Sequence, residues 1–120
     1  MRVLIVDDSK IARMQAKKAL PPACQGELVE VSDGQQALDA CRASSFDLML
    51  LDLTMPQMNG YEVLEAIRDL PGRPPVVVMS ADIQPKAKER VLSLGALGLV
   101  PKPANPSALL ALLEQAGVLK

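Results

Sequence analysis

No histidine occurs anywhere in the 120 residues, and no tryptophan. The first absence removes imidazole as general base, as metal ligand and as phosphoryl carrier on this chain. Phe46 and Tyr61 are the whole aromatic complement, too few rings for a surface on which bases stack. Charge offers no broad attraction to phosphates either, because 13 Lys+Arg against 14 Asp+Glu leave a net charge of -1. Long apolar runs are missing. Leu48 to Leu51 and Val76 to Met79 fall far short of the ~20 residues of a membrane helix. Val3 to Val6, behind one Arg, is too short for a signal peptide. Neither nucleic acid nor membrane is expected as a partner. Cys24 and Cys41 then read as reduced thiols of a cytoplasmic protein, packed as small hydrophobes.

What is present suffices for a core: 49% of the residues are apolar. The length predicts one domain over residues 1–120, with no output domain beside it. Apolar pattern alternates between two periods. Val3 to Val6 reads as a buried strand, followed by a helix capped by Ser9 that runs to about Leu20 and stops at Pro21-Pro22. Leu28 to Val31 is a second strand, ended by Asp33-Gly34, and its helix turns Ala37, Leu38 and Cys41 inward. Phe46 to Leu51, apolar almost throughout, suits a central strand covered on both faces. After the loop Met55 to Gly60, a helix carries Val63, Leu64 and Ile67 and ends at Pro71-Gly72. Val76 to Met79 is the fourth strand. Pro85 opens a helix with Ala87, Val91 and Leu94, closed by Gly95. Leu97 to Val100 is a fifth strand, at an edge because Pro101 cannot donate to a central ladder. Asn105 and Pro106 start a last helix with Leu109, Leu112, Leu113 and Ala116 inward, ending at Gly117.

Strands separated by helices imply parallel crossovers. The expected fold is a doubly wound α/β sandwich, a five-stranded parallel sheet with five helices and with strands 2 and 5 at its edges. In such sheets ligands bind at the carboxyl ends of the strands. Asp7 and Asp8 follow strand 1, Asp52 ends strand 3, Ser80 follows strand 4 and Lys102 follows strand 5. Taken singly, each has an ordinary reading as cap, turn or solvated residue. Together they put three carboxylates, a hydroxyl and an ammonium at one end of the sheet. Three carboxylates repel unless a cation sits among them. Mg²⁺ suits hard oxygen donors and phosphate oxygens. With Lys102 and Ser80 the set is built to hold a phosphoryl group, and Asp52 is placed to be its nucleophilic acceptor.

These residues carry a family resemblance. Val6-Asp7-Asp8-Ser9, Asp52-Leu53-Thr54-Met55-Pro56 with Asn59-Gly60, Ser80-Ala81 and Lys102-Pro103 resemble the receiver domain of two-component response regulators, the chemotaxis CheY type in particular. The match runs from Arg2 to about Gly117. It implies the strand order 2-1-3-4-5, and that Asp52 is the phosphoacceptor. It implies that Asp8 binds Mg²⁺ directly, Asp7 through water, and the Thr54 carbonyl as a further ligand beside Asp52. Lys102 would pair with Asp52 before modification and with the phosphoryl group afterwards. Ser80 would hydrogen-bond a phosphoryl oxygen, and a cis bond is expected before Pro103. Thr54 and Asp82 stand where the family's residues flank the path of attacking water and tune the phosphoryl lifetime. One departure matters: many receivers carry Tyr or Phe where this chain has Leu99, so a switch here must use the loop and helix before strand 5.

The implied function is a phosphorelay switch, phosphorylated by a histidine kinase or histidine phosphotransfer protein. It would be read by a protein partner on the face of helix 4, strand 5 and helix 5, as a monomer or a phosphorylation-dependent dimer. It would assist its own phosphorylation and dephosphorylation without being an enzyme on a separate substrate. An adaptor that works without phosphorylation is the alternative. An Asp-nucleophile phosphatase is disfavoured, because such enzymes carry Asp-x-Asp after the first strand. A flavodoxin-like carrier lacks its phosphate loop and its flavin-stacking rings. Lys10, Arg13 and Lys17 form a basic stripe on helix 1, read equally as a solvated face or as the place where phosphodonor helices dock in the family, while Lys86, Lys88 and Arg90 read as solvated.

Overall fold

The chain alternates strand and helix throughout the computed structural model, which describes residues 1–55, 58–81 and 84–119. Its elements are β1 (Arg2–Val6), α1 (Lys10–Ala19), β2 (Glu27–Val31), α2 (Gly34–Ala43), β3 (Leu48–Asp52), α3 (Gly60–Ile67), β4 (Val76–Ser80), α4 (Pro85–Ser93), β5 (Gly98–Pro101) and α5 (Pro106–Gln115). All neighbouring strands pair parallel, in the order β2-β1-β3-β4-β5. The parallel pairing is what the alternation of periods implies, and the order is the one the family resemblance implies.

The central strands owe their position to side chains that are apolar on both faces. Leu4 and Val6 of β1, Met49 and Leu51 of β3 and Val76 and Val78 of β4 pack with Ala37, Val63, Leu64, Ile67 and Val91 on one side. Val3, Ile5, Leu48, Leu50, Val77 and Met79 pack with Ala16, Ala19, Leu109 and Leu113 on the other. The alternation follows from the two-residue period of a strand. β2 lies at one edge and is half exposed. β5 lies at the other and holds Pro101 within its last position, where no ladder donor is required.

Helix starts are chemically marked. Ser9, Asp33, Asn59 and Asn105 each accept a backbone N–H three residues on, from Ala12, Gln36, Glu62 and Ala108. At α3 the Glu62 side chain also accepts from the Asn59 amide, a reciprocal capping box. Such caps hold the first turns of α1, α2, α3 and α5 just beyond the strand ends, whereas α4 opens on Pro85 without a side-chain cap.

Three expectations are corrected. Phe46 and Asp47 precede β3 instead of opening it, while the strand ends at Asp52 as expected. Phe46 is buried beside the strand with the Arg2 guanidinium 4.7 Å over its ring, so its burial came from packing and not from strand pairing. Leu97 lies before β5, although its amide already donates to the Val76 carbonyl at 2.8 Å. Ala116 caps the end of α5 on the exposed side, because Leu109 and Leu113 alone form its fully buried stripe. A short 3₁₀ turn, Pro22–Cys24, was not foreseen; it buries Cys24 against the α1 and α5 face of the sheet.

Candidate functional site

Parallel strands bring their carboxyl ends to one side, and the expected polar residues meet there. Asp52 is the last residue of β3, Asp7 and Asp8 follow β1, and Ser80 ends β4. Lys102 follows β5, and its backbone amide donates to the Ser80 carbonyl at 2.9 Å, which fixes the lysine-bearing turn to β4. Carboxylate oxygens of Asp7, Asp8 and Asp52 lie within 4.8 Å of one another. Asp7 and Asp52 are buried, at 0% and 4% exposure, whereas Asp8 is open to solvent.

The Lys102 ammonium sits between the two buried acids. Its Nζ donates to Asp7 Oδ2 at 2.7 Å and to Asp52 Oδ1 at 3.0 Å. The resemblance anticipated only the second contact; the first is the shorter. Asp7 Oδ1 also accepts the Ser9 amide at 2.9 Å. Burial pushes the Asp52 carboxyl above its ordinary range. Lys102 bonded to it pulls down, the Asp7 charge pushes up again, and the Thr54 amide bonded to it pulls down, leaving a net rise. Burial pulls Lys102 down, but the bonds to Asp7 and Asp52 together outweigh it and its pKa is raised. Lys102 therefore stays charged.

This donor set fits a small hard cation. It is all oxygen, it carries more than one buried negative charge, and its third carboxylate faces water, as suits an ion that keeps part of its hydration shell. Beside it lies a cavity of about 340 Å³ lined by Leu53, Thr54, Met55, Asn59, Tyr61 and Ser80. Thr54 is exposed in the turn after β3, with its amide on Asp52. The Lys102–Pro103 peptide bond is cis. Asp82, expected to flank the site, lies outside the described residues.

Gly60, the first residue of α3, packs against the backbone at the end of β3. Its amide donates to the Leu53 carbonyl at 3.0 Å. A Cβ there would meet the Asp52 carbonyl oxygen at 2.6 Å and Leu53 Cα at 2.8 Å. Those neighbours are backbone and cannot swing aside. Gly60→Ala is expected to cost about 1–3 kcal/mol through overpacking, measured by urea unfolding.

Two features escaped sequence reasoning. Arg13 and Lys17 do not form an open basic stripe, because both pair with Glu30 of β2, at 3.1 and 3.0 Å. Arg90 is not simply solvated, since its guanidinium stacks 3.9 Å over the Tyr61 ring and joins α4 to the start of α3. Neither pairing has a local sequence signal, since Glu30 and Tyr61 reach their partners only through the assembled fold.

The profile of the response regulator receiver domain matches residues 3–114. A two-component response regulator of rice, ORR41 (Oryza sativa subsp. japonica), is 35% identical over 91% of this chain and 88% of its own. The sensory/regulatory protein RpfC of Xanthomonas campestris pv. campestris is 35% identical over 92% of this chain, which spans only 16% of that protein. Among solved structures, the chemotaxis response regulator CheY4 of Vibrio cholerae superposes with a TM-score of 0.82 at 32% identity, covering 98% of both chains. The strand order, the acid cluster and these likenesses agree, and the chain belongs to the response regulator receiver domain family.

Proposed function

We propose that this receiver domain is a phosphorylation-controlled switch in which Asp52 accepts a phosphoryl group from a phosphohistidine on a histidine kinase or phosphotransfer protein. The observation that carries the reading is Lys102 held between Asp7 and Asp52 beside an exposed Asp8. Asp7, Asp8, Asp52 and the Thr54 carbonyl would hold Mg²⁺, which when bound supplies neutralising charge to the phosphoryl oxygens. An Asp52 carboxylate oxygen bonds to phosphorus while the bond from phosphorus to the donor nitrogen breaks, and the electron pair leaves with the imidazole. Lys102 gives up its bond to Asp52 and offers its charge to the incoming oxygens. Ser80, at the end of β4 on the cavity wall, would donate its hydroxyl to one of them.

Readout is proposed at α4, β5 and α5. A groove of about 330 Å³ runs there, lined by Leu92, Leu97, Leu99 and Leu112 among others, and Leu92 is 43% exposed. Leu99 supplies no ring to turn inward. The loop after Ser80 and α4 would carry the change instead, as a shift between two populated arrangements. Cytoplasmic residence fits a phosphorelay, and no helix of the described residues is long and apolar enough to cross a membrane.

Incubation with acetyl phosphate followed by intact mass is the test. A gain of one phosphoryl group that requires Mg²⁺ and is absent in Asp52→Asn is expected. Equal labelling of the variant would remove Asp52 from the role. No labelling of the folded wild type would leave the phosphorylation-independent adaptor.

A further inference from the structure

The Arg13 guanidinium is aimed at the backbone of the acidic turn. Its Nη1 donates to the Asp7 carbonyl oxygen at 2.6 Å, and its Nε donates to Glu30 Oε1 at 3.1 Å. The side chain is only 16% exposed. The other Glu30 oxygen accepts from Lys17 Nζ at 3.0 Å. Arg13 is thus clamped at two points, one on β2 and one on the turn that follows β1.

The Asp7 carbonyl is a particular oxygen. The β1–β2 ladder ends at Val6 opposite Val31, and the Asp7 amide makes its last bond to the Val31 carbonyl at 3.2 Å. Beyond that point the chain leaves the sheet, and Arg13 provides a donor for this carbonyl. The same oxygen belongs to the planar peptide unit joining Asp7 to Asp8. Holding it fixes that plane, and with it the Asp8 amide nitrogen and the Cα from which its side chain departs. The Asp7 carboxylate has its own restraints in Ser9 and Lys102. Asp8 is exposed, and the backbone that carries it into the cluster is the peptide unit that Arg13 holds.

We propose that Arg13 is a positioning residue for the cation site, setting the Asp7–Asp8 peptide plane so that Asp8 converges with Asp7 and Asp52, and that Glu30 holds Arg13 to this task. The inference rests on the reading of these three acids as cation ligands. Simple electrostatics opposes it in sign: a guanidinium near the cluster repels a divalent ion, so removing its charge should tighten binding. Positioning predicts the reverse.

Arg13→Lys keeps the charge and loses the planar fork that reaches the carbonyl and Glu30 together. Arg13→Met loses both and keeps most of the apolar stem. Mn²⁺ affinity, from the electron paramagnetic resonance signal of the free ion, is to be measured on each, with melting temperature in EDTA as the fold control. Arg13 fills no core position, so both variants should fold. The expected result is Mn²⁺ binding weakened roughly tenfold in both, the lower end for outer partners of a metal site. Wild-type affinity in Arg13→Lys, or tighter binding in Arg13→Met, would overturn the inference even if melting temperatures fall. A wild type that binds no Mn²⁺ would instead overturn the cation-site reading itself, and this inference with it.

Discussion

Lys102→Met should unfold with about 3 kcal/mol less stability than wild type in EDTA. Its ammonium lies between two carboxylates whose side chains are 1% and 5% exposed. Removing one partner of a buried ion pair leaves the others uncompensated, at about 3–5 kcal/mol. Two things hold the expected loss to the lower end. Lys102 is itself 24% exposed, and Asp52, whose pKa is already raised chiefly by burial, can take up a proton. Urea unfolding with and without Mg²⁺ checks this. The cation should restore part of the loss in the variant, since it supplies the missing positive charge to the same oxygens. A variant as stable as wild type in EDTA would show that the pair carries no net stability.

Asp52→Asn should have the opposite sign at neutral pH. Asp52 has a folded pKa above its unfolded one, with burial as the leading cause and Asp7 adding to it. The folded state therefore binds more protons than the unfolded state, and stability falls as pH rises from the unfolded pKa through the folded one. Below both values the carboxyl is neutral in each state and no penalty exists. Above both the full penalty of a buried, repelled charge applies. Asparagine removes that charge and keeps the shape, while Lys102 retains Asp7. In EDTA at pH 7 the variant should melt higher by roughly 2–5 °C, a gain of under about 1 kcal/mol for a domain of this size. The gain should disappear toward pH 3, and Mg²⁺ should stabilise the wild type more than the variant. A variant that melts lower at pH 7 would mean that the bonds of Asp52 to Lys102 and Thr54 outweigh its burial.

Much of this structure could be read from the residues before any coordinates. The β-branched and leucine runs, set between caps and Pro or Gly stops, locate five strands and five helices. Parallel pairing then follows from their alternation, while the strand order came with the resemblance. The convergence of Asp7, Asp8, Asp52, Ser80 and Lys102 is legible for the same reason: in a parallel sheet, following a strand is an address in space. Phe46 was misplaced because an apolar ring before a strand has the same composition as one inside it, and only its packing under Arg2 separates the two. Partner choice was not legible. Lys102 could be assigned to Asp52 by analogy, but its shorter contact to Asp7 depends on the depth at which each acid lies. Arg13 and Lys17 look like a free basic face until β2 brings Glu30 beside them. The Arg90–Tyr61 stack joins two helices far apart in sequence. Such pairings depend on long-range geometry, which periodicity does not encode.

The most direct measurement locates the modified atom. After treatment with acetyl phosphate and Mg²⁺, borohydride reduces an acyl phosphate of aspartate to homoserine, and peptide mass spectrometry reads the position. Homoserine at residue 52, formed only after phosphorylation, is the expected result. Homoserine at Asp7 or Asp8 with residue 52 unchanged would contradict the central claim that the acid ending β3 is the phosphoryl acceptor.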